Sequence, residues 1–362
     1  VRRQATFLIA AAAACVSLEN LTAGTIRHDR DDRVYQMMAQ KEGWQAVGQM
    51  GQIQPDGQFF HACTLTLIDD QCVLCAAHCI HDFNPVTGVY EESPPPLVRI
   101  GTQLVQLTPA DVFVHPGWIQ GGGNLSAGYD IALFRLPAPL DRERRRPRPQ
   151  GRQPVTRQPV DPGRAIMPLR TNTQRLEAGQ RATSVGFGNT GTGLTGEAVE
   201  SDVLRAGVNT IDGTEARLWP SIRPELRETF GNQRTLVFDF DSPLTNTLNV
   251  LGLADPLNYE YCPARGDSGG PLFLPNGEIA GVVSGGYRPL TNNLAAYGTI
   301  AIYTRVSSYR TWIQSVMAGN EPSLEVMIPR LRASGFFPGR PFRGVPSPAM
   351  LQSRDTYLRA VA

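Results

Sequence analysis

Lysine is almost missing from this chain. Lys41 is the single lysine among 34 basic residues; the rest are arginines. Net charge is missing too, because 33 acidic residues leave a balance of only +1. Such a chain has no whole-molecule field to draw in nucleic acid or an anionic membrane. Beyond Leu18, no stretch is apolar over the roughly 20 residues a membrane helix needs. Internal repeats of about 20–50 residues are absent, which argues against solenoids and propellers. The arginine bias, with Val1 as first residue, suggests a bacterial gene rich in G and C read from an alternative start codon.

What is present is ordinary for a globular protein: 41% hydrophobic and 19% charged residues, enough to build a core. With 36 glycines and 29 prolines, turns are frequent, which suits an all-β protein better than a helical bundle. The start of the chain has the layout of a secretory signal peptide: Arg2-Arg3, an uncharged run from Ala5 to Leu18, then Thr22-Ala23-Gly24 as a cleavage zone. A buried N-terminal helix is the plain alternative, and Cys15 as a lipid-attachment site a weaker one. Export permits disulfides. Five of the six cysteines follow the leader, so at least one of Cys63, Cys72, Cys75, Cys79 and Cys262 is left without an intramolecular partner.

Short apolar runs bounded by Gly, Pro, Asn and Asp follow from Trp44 onward. They are Trp44–Met50, Thr64–Ile68, Val98–Ile100, Ile131–Leu136, Ala182–Val185, Leu236–Phe240, Glu278–Val283 and Thr299–Val306. Each has strand length, and their regular spacing predicts an antiparallel barrel or sandwich. Only Tyr309–Met317 reads as a helix, and residues 24–45 are polar without a clear period. Residues 141–164 hold eight arginines and five prolines and predict an exposed insertion, either solvated or able to hold an anionic polymer. Residues 319–362 read as a C-terminal extension, with local order expected around Gly335-Phe336-Phe337-Pro338.

Three motifs carry chemistry: Cys75-Ala76-Ala77-His78-Cys79, Tyr129-Asp130-Ile131-Ala132-Leu133, and Gly266-Asp267-Ser268-Gly269-Gly270-Pro271. A serine hydroxyl is a weak nucleophile and needs a base within hydrogen-bond reach. Histidine suits that role near neutral pH, and a buried carboxylate can fix its tautomer. Glycines around a serine permit a tight turn whose amides, those of Gly266 and Ser268, converge on one oxyanion. Each residue alone has a plain structural reading: a core histidine, a turn aspartate, a loop serine. The spacing Cys72-x2-Cys75-x2-His78-Cys79 also resembles a zinc site, but a strand there would point Cys72 and Cys75 to opposite sides as small buried hydrophobes. No metal is expected.

Taken together, the three motifs in the order His78, Asp130, Ser268 resemble the chymotrypsin/trypsin-like serine proteases. The resemblance runs from about Trp44 to Met317. It implies two six-stranded antiparallel β-barrels with a C-terminal α-helix, an active site between them, and no cofactor. It implies a secreted, monomeric serine endopeptidase acting on polypeptides, with a leader over 1–23 and a protease domain over 24–318. It further implies a Cys63–Cys79 disulfide beside the histidine. Val283-Ser284-Gly285-Gly286 resembles the family's segment that supports the aspartate through its serine and pairs with substrate. The family's specificity position, six residues before the nucleophile, falls on Cys262, which implies an apolar or small substrate side chain rather than a basic one. Glu260 is the nearby residue that would favour a basic one. Many members pair a new Ile-Val-Gly-Gly terminus with the aspartate before the nucleophile, here Asp267. No such tetrapeptide occurs, and Gly24-Thr25-Ile26-Arg27 is the nearest segment. A non-catalytic binding relative and an esterase on the same triad are the alternative functions.

Overall fold

The computed structural model describes residues 24–41, 43–84, 89–92, 96–123, 125–140, 166–213, 233–249, 251–252, 255–287 and 293–333. The leader, the Arg/Pro-rich insertion and the 335–338 segment lie outside the described residues.

The strands of the first half are β1 Gly24–Ile26, β2 Val47–Ile53, β3 Phe59–Asp69, β4 Cys72–Cys75, β5 His81–Asn84, β6 Val89–Glu92, β7 Leu97–Ile100, β8 Gln103–Gln106, β9 Val112–Val114 and β10 Ala132–Arg135. Those of the second half are β11 Arg181–Gly186, β12 Thr190–Thr192, β13 Gly196–Val199, β14 Arg205–Thr210, β15 Thr235–Asp239, β16 Tyr261–Cys262, β17 Pro271–Phe273, β18 Ile279–Tyr287 and β19 Ile300–Arg305. The helices are α1 Asp32–Ala39, α2 Pro116–Gln120, α3 Arg310–Met317 and α4 Leu324–Ala333.

Two antiparallel sheets dominate. One runs β8-β7-β2-β3-β4-β10-β9 and the other β14-β11-β17-β18-β19-β15. The expected two-sheet antiparallel architecture with a C-terminal helix is present, the first sheet having seven strands rather than six. All eight strand-length runs lie within or overlap strands. Val73, Leu74, Ala132, Leu133 and Phe134 are buried on both faces, so β4 and β10 read as continuous apolar runs without alternation. Trp44 stacks on Phe273 with ring centroids 5.6 Å apart, joining the start of the first sheet to the second.

Helix content exceeds the one segment expected. Asp31 caps α1 by accepting the Arg33 amide. Asp32, Tyr35 and Ala39 form its buried stripe, and Asp32 Oδ2 pairs with buried Arg205 Nη2 at 2.7 Å, tying α1 to β14. A charged residue thus occupies a core position, which hides the helical period. Helix α3 buries Trp312, Ile313 and Val316. The C-terminal extension begins with α4, whose Leu324 and Met327 are buried where it packs near β9 and the Pro109–Asp111 turn.

The segment at 24–26 is also ordered. β1 lies between β12, to which it runs parallel, and β16, to which it runs antiparallel.

Candidate active site

β4 delivers the histidine. After Cys75 the chain turns through a short 3-10 helix, Ala77–Cys79, that presents His78 beside the sheet end. Cys79 is bonded to Cys63 of β3, with Cα atoms 6.3 Å apart, so the turn is stapled to a neighbouring strand. Asp130 sits just ahead of β10, which pairs with β4, and the two residues therefore meet. His78 Nδ1 lies 2.7 Å from Asp130 Oδ2, and the His78 amide donates to Asp130 Oδ1 at 2.9 Å. Ser284 Oγ donates to Asp130 Oδ2 at 2.6 Å, and Thr304 Oγ1 donates to the Asp130 carbonyl at 2.7 Å. The carboxylate is fully buried. Its acceptor character sets the proton of a neutral imidazole on Nδ1, so that Nε2 carries the lone pair that can accept a proton.

The turn 264–270 carries the serine. Asn189 N–H donates to the Arg265 carbonyl, and Gly270 N–H donates to the Asp267 carbonyl at 2.8 Å. In a trans peptide the N–H points opposite to the C=O. The amides of Gly266 and Ser268 are therefore turned away from these occupied carbonyls, and no protein acceptor for either is found among the described residues. Gly266 adopts φ +91°, a left-handed conformation that side chains resist. Its carbonyl accepts His61 Nε2 at 2.9 Å and Thr64 Oγ1 at 2.8 Å. Burial pushes His61 down to about 4, so it is neutral and donates from Nε2. The Ser268 carbonyl accepts the Thr64 amide at 2.8 Å, which seats the serine turn directly on β3 of the first sheet.

A cavity of about 60 Å³ opens beside Ser268, with Pro263, Ala264, Gly285, Gly286, Ala295 and Thr299 in its wall. Ser268, Gly285 and Gly286 line it. Cys262 does not: it is fully buried and packs with Phe240, Ala295 and Tyr297. The expectation that it is the specificity position in contact with substrate is corrected by burial: both residues of β16 are enclosed, Tyr261 against Asp267 and Cys262 in the Phe240 cluster, and neither lines the cavity. Ser284 also stays out of the wall, its hydroxyl being given to Asp130. Glu260 is buried elsewhere, accepting from Asn209 Nδ2 and the Asp241 and Leu257 amides. Among the described residues, the one carboxylate in the cavity wall, Glu197, is paired with Arg265 and accepts its amide at 2.8 Å.

Cys72 and Cys75 are buried free thiols, as expected of small core residues. Burial pushes Cys72 up to about 12, and Cys75 shifts in the same direction. Among the described residues, the atoms of Cys63, His78 and Cys79 come within 4.8 Å of one another, a spacing a metal could span. Both sulfurs are committed to a disulfide and offer no thiolate, so this trio does not make a zinc donor set.

The family model described as "Trypsin" matches residues 34–220 and 253–313. A serine protease, SSP1, from Scolopendra subspinipes is 29% identical over 263 residues, covering 70% of this chain and 72% of its own. Anionic trypsin from Bos taurus is 26% identical over 267 residues, covering 72% and 82%. The solved structure of neuropsin, a serine protease expressed in mouse brain, covers 77% of this chain and 96% of its own at 19% identity and a TM-score of 0.48. These relatives are animal proteins, and the bacterial origin expected from the arginine bias finds no support among them.

Proposed function

The chain belongs to the trypsin family, and from that premise we propose that it is a serine endopeptidase with His78, Asp130 and Ser268 as its triad. The observation that carries the reading is the bond from His78 Nδ1 to the buried Asp130 carboxylate, made beside a serine turn with two outward amides. Ser268 Oγ attacks the peptide carbonyl while His78 Nε2 takes its proton. The amides of Gly266 and Ser268 stabilise the tetrahedral oxyanion. His78 then returns the proton to the leaving amine, and water releases the acyl group by the reverse sequence. Asp130 holds the ring and stabilises its positive charge, with Ser284 supporting the carboxylate. The Ser284–Gly286 stretch of β18 pairs with the substrate backbone as an added strand.

A small, largely apolar cavity favours a short apolar side chain before the cleaved bond, because no unpaired carboxylate among the described residues of its wall would neutralise a basic one. Export as a monomer through a leader over 1–23 and a protease domain over 24–318 complete the proposal.

The test is hydrolysis of a peptide library by the leader-free protein and by Ser268→Ala. Cleavage after small apolar residues, abolished in Ser268→Ala, is expected. Cleavage confined to Arg and Lys sites contradicts the pocket reading. Binding without turnover indicates a non-catalytic relative, and turnover of esters alone indicates an esterase.

A further inference from the structure

Asp267 precedes the proposed nucleophile and is 1% exposed. Its Oδ1 accepts the Gly188 amide at 2.8 Å. Its Oδ2 accepts the Ala264 amide at 2.9 Å and the Tyr261 hydroxyl at 3.1 Å. Tyr261 is the one side chain in this donor set. Burial pushes the Asp267 carboxyl up to about 6, against the pull of the two amides and the phenol. Burial also pushes the Tyr261 phenol well above its usual range, so it stays a neutral donor.

The ring is held in a fitted slot. A Cβ on Gly24 would come within 2.0 Å of the Tyr261 Cζ and Oη, and one on Gly207 within 2.3 Å of its Cβ. Strand β1 is in turn fastened over the ring. Thr190 Oγ1 donates to the Gly24 carbonyl at 2.6 Å, and Thr25 Oγ1 reaches the carbonyls of Cys262 and Ala295. Opposite the ring, a Cβ on Gly188 would lie 2.6 Å from the Asp267 Cγ, so only glycine lets the carboxylate settle there. The aspartate's own backbone closes the serine turn at both ends: its N–H donates to the Ala264 carbonyl at 3.0 Å and its carbonyl accepts the Gly270 amide.

The geometry points to Tyr261 as the positioning residue for the oxyanion turn, acting through Asp267 and backed by β1. The linkage runs from the Gly24–Ile26 strand to the Tyr261 ring, to the carboxylate, and so to the peptides that aim the Gly266 and Ser268 amides. It rests on the reading of those amides as oxyanion donors. Among the described residues, every donor to Asp267 is uncharged: two backbone amides and one phenol. In this linkage the turn needs no freed ammonium group.

Tyr261→Phe keeps the ring and removes only the hydroxyl. The peptide kcat should fall about tenfold or more, approaching the ~10²–10³ cost of losing an oxyanion donor, with KM within about twofold. Affinity for a peptidyl aldehyde, whose serine adduct carries an oxyanion, should fall by a similar factor. A merely structural tyrosine would lower the thermal midpoint and leave both values unchanged for the folded protein. A second arm needs no substitution in the fold: a fusion placed ahead of Gly24 is assayed before and after its removal. Equal kcat supports the linkage, and activity gained only on removal overturns it. Wild-type turnover, measured first, separates the two readings. A wild type without turnover contradicts the protease reading and this role with it, whereas an active wild type with an unimpaired Tyr261→Phe contradicts this role alone.

Discussion

Ser284 gives its hydroxyl to Asp130 Oδ2 at 2.6 Å, across 154 residues of sequence and from one sheet to the other. That oxygen also faces His78 Nδ1. Ser284→Ala leaves the buried carboxylate one donor short while the imidazole bond remains. A hydrogen bond to a charged group contributes about 1.5–3 kcal/mol, so kcat should fall roughly tenfold or more. KM should change little, because Ser284 does not line the cavity. Steady-state kinetics on one peptide substrate checks both values.

The disulfide gives a stability prediction. Cys63 and Cys79 enclose a loop of 16 residues in sequence separation. Closing a loop of that length contributes about 3 kcal/mol. The double variant Cys63→Ala, Cys79→Ala should lose stability on that order in urea unfolding. It should also lose activity at temperatures where it remains folded, because the His78 turn is freed from β3.

A group of buried carboxyls makes stability depend on pH. Burial, with repulsion from neighbouring carboxylates, pushes Asp212 up to about 8, Asp241 to about 9 and Glu260 to about 7. Among the described residues, Asp241 Oδ1 has no hydrogen-bond partner. Since these folded-state values lie above the unfolded ones near 4, the folded protein holds more protons between about pH 4 and 9. Stability is therefore full at the acid end of that window and is lost as pH rises through it. Asp241→Asn removes one titrating group, so the fall in unfolding free energy between pH 5 and 8 should flatten by up to about 1.4 kcal/mol per pH unit. Urea midpoints at pH 5 and pH 8 for both proteins measure this; parallel slopes would refute it.

Gly188 is a packing prediction. Its Cβ would sit 2.6 Å from both Asp267 Cγ and the Asp267 amide nitrogen. Gly188→Ala should cost about 1–3 kcal/mol by overpacking and reduce kcat by shifting the serine turn. Unfolding curves and peptide turnover on the same preparation test both effects.

Much of this was legible in the sequence because its signals are local. Gly-Asp-Ser-Gly-Gly declares a tight turn at Ser268, and buried strands such as Val73–Cys75 announce themselves as apolar runs. The Cys63–Cys79 bond followed from a resemblance that the structure bears out. Residues 24–39 were not legible. Helix α1 buries Asp32 against Arg205, so its inward stripe carries a charge and shows no apolar period. β1 is three residues long and is held by partners 166 and 237 positions away. The exchange of Cys262 for Pro263 and Ala264 in the cavity wall was hidden for a similar reason. Counting back from Ser268 gives a position in sequence, but whether the side chain there meets the cavity depends on the cluster of Phe240, Ala295 and Tyr297 that receives Cys262. Tyr261, beside it, carries no local sequence signal for the hydrogen bond its hydroxyl gives Asp267.

The central claim is that His78, Asp130 and Ser268 form a working nucleophilic triad. A fluorophosphonate probe, which reacts with an activated serine, tests it on wild type, His78→Ala and Ser268→Ala, with the modified residue located by mass spectrometry. The account predicts covalent labelling at Ser268 in the wild type and its loss in both variants. Folded wild-type protein that stays unlabelled, or labelling that survives in Ser268→Ala, would contradict it.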